Sequence, residues 1–123
     1  MSLNPNAYLL GLHNTKTTNY TMSEFNDIIK DSKPTLVDFF ATWCGPCKMQ
    51  GPILEQVKAI FGDSVNIIKI DVDRNPELSA TYHIRSVPTL ILFVNGEAAW
   101  RGYGLHQADQ LEAKLREFIS KEQ

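Results

Sequence analysis

The sequence predicts a single α/β domain: a central mixed sheet of five strands flanked by about four helices on both faces. Two observations carry this reading. Apolar runs of strand length alternate with runs whose apolar residues recur at helical spacing, a pattern that demands parallel pairing with right-handed crossovers. Towards the C-terminus, Asn95-Gly96 between two strand-like runs adds an antiparallel hairpin. The 123 residues make one domain long enough to bury a core, and 43% hydrophobic with 21% charged residues is ordinary for a globular chain.

Residues 1–16 are polar and rich in Pro, Asn and Thr apart from Ala7–Leu12, and read as a partly ordered extension to a domain spanning 17–123. A short first strand is expected near Thr17–Thr21. Thr21 and Glu24 form a capping-box pattern, with Phe25, Ile28 and Ile29 as the apolar stripe of a helix over 23–30. Asp31-Ser32-Lys33-Pro34 ends it. Thr35–Phe40 reads as a strand, apolar except for Asp38. A long helix then runs to about Phe61, with Met49, Ile53, Val57 and Ile60 as its stripe and Gly62 as its stop. Pro52 predicts a kink inside it. Val65–Ile70 is the next strand. Asn75-Pro76, an N-cap and a first-turn proline, starts a short helix ending near Tyr82. Thr89–Val94 and Glu97–Tyr103 form the hairpin. Leu111, Leu115, Phe118 and Ile119 face the core from a last helix.

Charge and hydropathy exclude several classes. Net charge is −2 and Lys and Arg are scattered, so no nucleic-acid surface is expected. The apolar runs fall far short of the roughly 20 residues of a membrane span, so no membrane insertion is expected. Met1–Leu12 lacks both the basic start and the roughly 7–15 apolar residues of a secretory signal. That predicts a cytoplasmic protein, with the periplasm as the alternative if a signal has been removed.

The chemistry centres on Trp43-Cys44-Gly45-Pro46-Cys47-Lys48, which uses both cysteines of the chain. Two thiols at this spacing can hold a metal, lock a loop or do redox chemistry. Their place at a strand-to-helix junction favours redox chemistry. A tetrahedral metal site wants four ligands. There is no second Cys pair, and His13, His83 and His106 stand at no ligand spacing, so no metal is expected.

With Asp38 before the motif, Val87-Pro88-Thr89 some forty residues after it, and Asn95-Gly96-Glu97 followed by Gly104, the chain resembles the thioredoxin family over roughly Thr17 to Lys121. The resemblance implies a thiol–disulfide oxidoreductase that reduces protein disulfides. Cys44, at a helix N-terminus where free amides and the dipole favour thiolate, is the expected nucleophile. Cys47, one turn further in, resolves the mixed disulfide. Between them Gly45 and Pro46 set the redox poise. Pro46 supplies neither an amide donor nor an imidazolium to the thiolate, which points to a reductant.

Asp38, among Leu36, Val37, Phe39 and Phe40, is a buried acid whose pKa should rise. By resemblance it accepts the proton of Cys47, and Lys69 is its partner. Pro88 is expected after a cis bond. Trp43, Val87, Pro88, Thr89 and Gly104 form the expected client-binding surface, and Phe40 stands where the family usually has tryptophan. No cofactor is expected beyond the redox-active disulfide. The implied partners are disulfide-bearing client proteins and a reductase or membrane thiol donor that resets a monomer. The competing readings are a disulfide oxidase or isomerase, and a non-redox docking subunit with the same fold.

Overall fold

The computed structural model describes residues 19–119. The expected extension over 1–16 lies outside them. The described elements are α1 (Met22–Ile29), β1 (Thr35–Phe40), α2 (Gly45–Phe61), a 3-10 turn (Gly62–Ser64), β2 (Asn66–Asp71), α3 (Pro76–Thr81), β3 (Thr89–Val94), β4 (Glu97–Tyr103) and α4 (Ala108–Ile119). Among the described residues the sheet therefore has four strands, in the order β2-β1-β3-β4, where the sequence predicted five. Residues 17 and 18 of the expected first strand lie outside the described set. The rest of it is committed elsewhere. The Tyr20 amide donates to Asn75 Oδ1 at 2.6 Å, and Thr21 caps α1.

That cap is the predicted box. Thr21 Oγ1 accepts from the Glu24 amide at 3.0 Å, and Glu24 Oε1 accepts from the Thr21 amide at 2.9 Å. Asn75 precedes α3 as expected, but its side chain does not cap the helix. Its Nδ2 donates to the Asp71 carbonyl at 2.9 Å while its Oδ1 takes the Tyr20 amide. Two backbone partners outside the helix, one of them 55 residues away, outcompete the cap.

β1 pairs parallel with β2 and antiparallel with β3, and β3 pairs antiparallel with β4. Strand alternation separates two cores. Val37, Phe39, Ile68, Ile70, Ile91 and Phe93 meet α1 and α3 on one face. Leu36, Ile67, Leu90 and Leu92 meet α2 and α4 on the other. Asp38 shares the second face with Leu36, between β1 and the cysteine helix. Asn95 (φ 55°) and Gly96 (φ 84°) make the tight hairpin turn with two positive φ angles. Their amides donate to the carbonyls of Asp31 and Ile29, tying the hairpin to the end of α1.

α2 departs from the expected stripe. Its buried face is Cys47, Gln50, Leu54, Val57 and Lys58, whereas Met49 and Ile60 are 60% and 47% exposed. The helix runs unbroken through Pro52 and ends at Gly62 (φ 57°), whose amide donates to the Lys58 carbonyl. The cysteine pair must face inward at the N-terminus, and this rotates the stripe by part of a turn. Lys58 can lie inward because its ammonium reaches the Val65 carbonyl at 2.6 Å.

Candidate functional site

The site is the junction of β1 and α2. Cys44 is the N-cap residue of α2, in extended backbone geometry (φ −92°, ψ 118°), and its sulfur accepts the Cys47 amide at 3.2 Å. A sulfur at this position meets the unpaired donors and positive end of a 17-residue helix. Cys44 and Cys47 are joined as a disulfide with Cα atoms 5.3 Å apart, and both are buried, Cys47 the more deeply. Gly45 and Pro46 form the exposed first turn between them, and a side chain at Gly45 would meet nothing within 4 Å. The outer face of the turn is thus open to a partner.

Asp38 is completely buried, and within the described residues no group hydrogen-bonds either carboxylate oxygen. Burial pushes its pKa up to about 7, while the Lys69 charge pulls the other way. Lys69 is its cross-strand neighbour in the β1–β2 register. The Lys69 ammonium sits 4.9 Å from the centre of the Phe40 ring, so it is held by a cation–π contact rather than by an ion pair with the acid. Phe40, Ala41, Thr42, Cys47, Lys48 and Lys69 line a cleft of about 220 Å³. Cys47 and the lysine that acts on Asp38 therefore share one solvent-accessible recess.

On the other side, Trp43, Val72, Ile84, Arg85, Ser86 and Val87 line a cleft of about 160 Å³. Trp43 is 71% exposed, so it belongs to the surface and not to the core. Val87 packs against the cysteine pair, its peptide bond to Pro88 is cis, and its carbonyl oxygen lies 3.7 Å from Cys44 Sγ. Gly104 (φ 79°) lies against the Pro88 turn, its amide donating to the Pro88 carbonyl at 2.9 Å. Thr89 lies beneath the turn: it is fully buried and its hydroxyl donates to the Ser86 carbonyl at 2.7 Å.

Two contributions escape sequence reasoning. Asp73, in the turn after β2, accepts the Trp43 indole N–H at 2.9 Å and fixes the ring beside Cys44. A tryptophan N–H calls for an acceptor, but nothing local names one thirty residues away. Gln50, on the buried face of α2, bonds both backbone groups of His106. Its signal, a glutamine on an apolar face, was masked by the misplaced stripe.

The thioredoxin family profile matches residues 16–117. The chain belongs to the thioredoxin family. It is 48% identical over 87 residues to a thioredoxin-like protein of Synechocystis, covering 71% of this chain and 83% of that relative. It is 42% identical over 103 residues to a thioredoxin of Alicyclobacillus acidocaldarius, covering 84% and 98%. A mutant thioredoxin from Halobacterium salinarum superposes with a TM-score of 0.74 at 35% identity, over 83% of this chain and 89% of that one. With the family's Cys-x-x-Cys pair at the start of α2, the protein is a thiol–disulfide oxidoreductase whose redox group is the Cys44–Cys47 disulfide. Members of the family act on disulfide-bearing client proteins and are reset by an electron donor. No group of three or more metal-ligating side chains occurs among the described residues, and no described helix is long and apolar enough to cross a membrane.

Proposed function

We propose that the protein reduces disulfides of client proteins, with Cys44 as nucleophile and Cys47 as the resolving thiol. The observation that carries this reading is the Cys44 sulfur at the N-cap of α2, accepting the Cys47 amide. In the dithiol form that amide and the helix dipole favour thiolate at Cys44. The thiolate attacks one sulfur of a client disulfide. A bond to Cys44 forms as the client's own S–S bond breaks, and the departing thiolate takes a proton from solvent. Cys47 then gives its proton to the Asp38 carboxylate, by way of water, and attacks the Cys44 sulfur. The mixed disulfide breaks, the second client thiolate leaves, and two electrons have passed from the pair to the client.

Asp38 suits this task because its pKa of about 7 leaves base available at neutral pH. Resolution should accelerate as pH rises through that value. Lys69 acts on Asp38 through its charge, and Gly45 and Pro46 keep the pair reducing. Clients dock on Trp43, Val87, Pro88 and Gly104, with an extended segment pairing to the Val87 backbone, while the buried Thr89 supports the turn from beneath instead of touching the client. The working unit is residues 17–123, acting as a monomer, with 1–16 as an extension. A flavin-dependent reductase resets it in the cytoplasm; a membrane thiol donor would do so in the periplasm.

The test is trapping. Cys47→Ser should accumulate mixed disulfides on Cys44, and the identity of the trapped donor reports the compartment. Adducts that form on Cys47 in Cys44→Ser, and not on Cys44 in Cys47→Ser, reverse the roles. A reduction potential as oxidising as that of periplasmic oxidants overturns the reductase direction.

A further inference from the structure

Gln50 is a fully buried polar side chain on the inward face of α2, one turn after Cys47. Leucine would satisfy both helix propensity and burial there. A buried amide has two polar ends that must both be paired. In this chain both go to one residue. Nε2 donates to the His106 carbonyl at 2.9 Å, and Oε1 accepts the His106 amide at 2.9 Å. Two bonds, one to each of the peptide units flanking the His106 Cα, fix orientation as well as distance.

His106 passes the constraint on. Its Nδ1 lies 2.9 Å from the Gly104 carbonyl oxygen, and its ring stands edge-on to Trp100 at 5.4 Å. The Gly104 amide in turn donates to the Pro88 carbonyl. A continuous chain of contacts thus joins the cysteine helix, the Gly104–His106 loop and the Pro88 turn, whose Val87 packs against the cysteine pair.

We propose that Gln50 is a positioning residue that sets the Gly104–His106 loop against the Cys44 turn. It thereby governs affinity for disulfides carried on polypeptide, and not attack on sulfur itself. The inference rests on the reading that client backbone docks beside Val87 and Gly104. A small disulfide needs no such surface, so its reduction is independent of Gln50.

The experiment compares Gln50→Met and Gln50→Glu with the unmodified protein on two substrates, insulin and 5,5′-dithiobis(2-nitrobenzoate). Gln50→Met removes both bonds at nearly constant volume. It should raise KM for insulin roughly fivefold, leave kcat within about twofold, and leave the small disulfide's rate within about twofold. Exchange of the His106 amide should accelerate about tenfold or more. Gln50→Glu keeps the acceptor for the His106 amide and should give an intermediate KM. If Gln50→Met does not fold, Gln50→Glu is judged by the same split. An unchanged insulin KM despite faster His106 exchange overturns the inference, as does a parallel loss on both substrates. An unmodified protein that reduces neither substrate overturns the reductase reading as well, so the two failures are distinguishable.

Discussion

A carboxyl set among Leu36, Val37, Phe39 and Phe40 with no hydrogen-bond partner among the described residues is easier to keep as acid than as anion. The folded pKa of Asp38, about 7, lies above its ordinary value of 3.8, so the folded state holds a proton the unfolded chain gives up. Its penalty is absent below about pH 4, grows as pH rises towards 7, and is constant above. A rise from 3.8 to about 7 corresponds to about 4 kcal/mol. Asp38→Ala should therefore gain about 4 kcal/mol on the unmodified protein between about pH 3.5 and pH 8.5, in denaturant melts at both values. The difference between the two pH values cancels the packing lost with the side chain. A gap that stays flat with pH would mean Asp38 titrates normally. Lys69 is aimed at Phe40 rather than at the acid, so it moderates this penalty without removing it.

Among the elements, the strands were legible and the helix faces less so. Three strands fall on their predicted residues, and β2 is shifted by one, because short apolar runs bounded by Pro34, Pro88 and Asn95-Gly96 leave little freedom. The stripe of α2 was misread because Met49 and Ile60 are apolar yet exposed, while polar Gln50 and Lys58 point inward. Both inward residues are satisfied by backbone far away or beyond the helix end, which no local pattern records. The same blindness hid Asp73, whereas Cys44, Cys47, Asp38 and the Pro88 turn were readable because their residue types and order are unusual. The hairpin supplies a test at this scale. Gly96 has φ 84°, so Gly96→Val should cost roughly 1–2 kcal/mol, seen as a lower denaturation midpoint with unchanged slope. No loss would mean the turn relaxes to another type.

The sheet separates two cores, and the cysteine pair forms a small third cluster with Ala41. Phe93 lies in the α1–α3 core, packed edge-on against Phe25 and Tyr82. Phe93→Ala should cost about 3–5 kcal/mol, yet leave the rate at which iodoacetamide alkylates reduced Cys44 unchanged in the folded protein. Stability by chemical denaturation and alkylation kinetics below the transition would check both halves. A changed alkylation rate would show that the far core helps set the thiolate.

Trp43 and Trp100 are the chain's two tryptophans, and the fold treats them oppositely. Trp100 packs against the α2–α4 core, while Trp43 lies open beside Cys44 with its indole N–H held by Asp73. Light absorbed by the protein is thus re-emitted from one ring in a half-dry setting and one in a wet setting. A partner that covers the redox pair must also cover the wet one. On the proposed docking of clients there, the molecule carries its own lamp, whose colour should shift to the blue when a client covers Trp43.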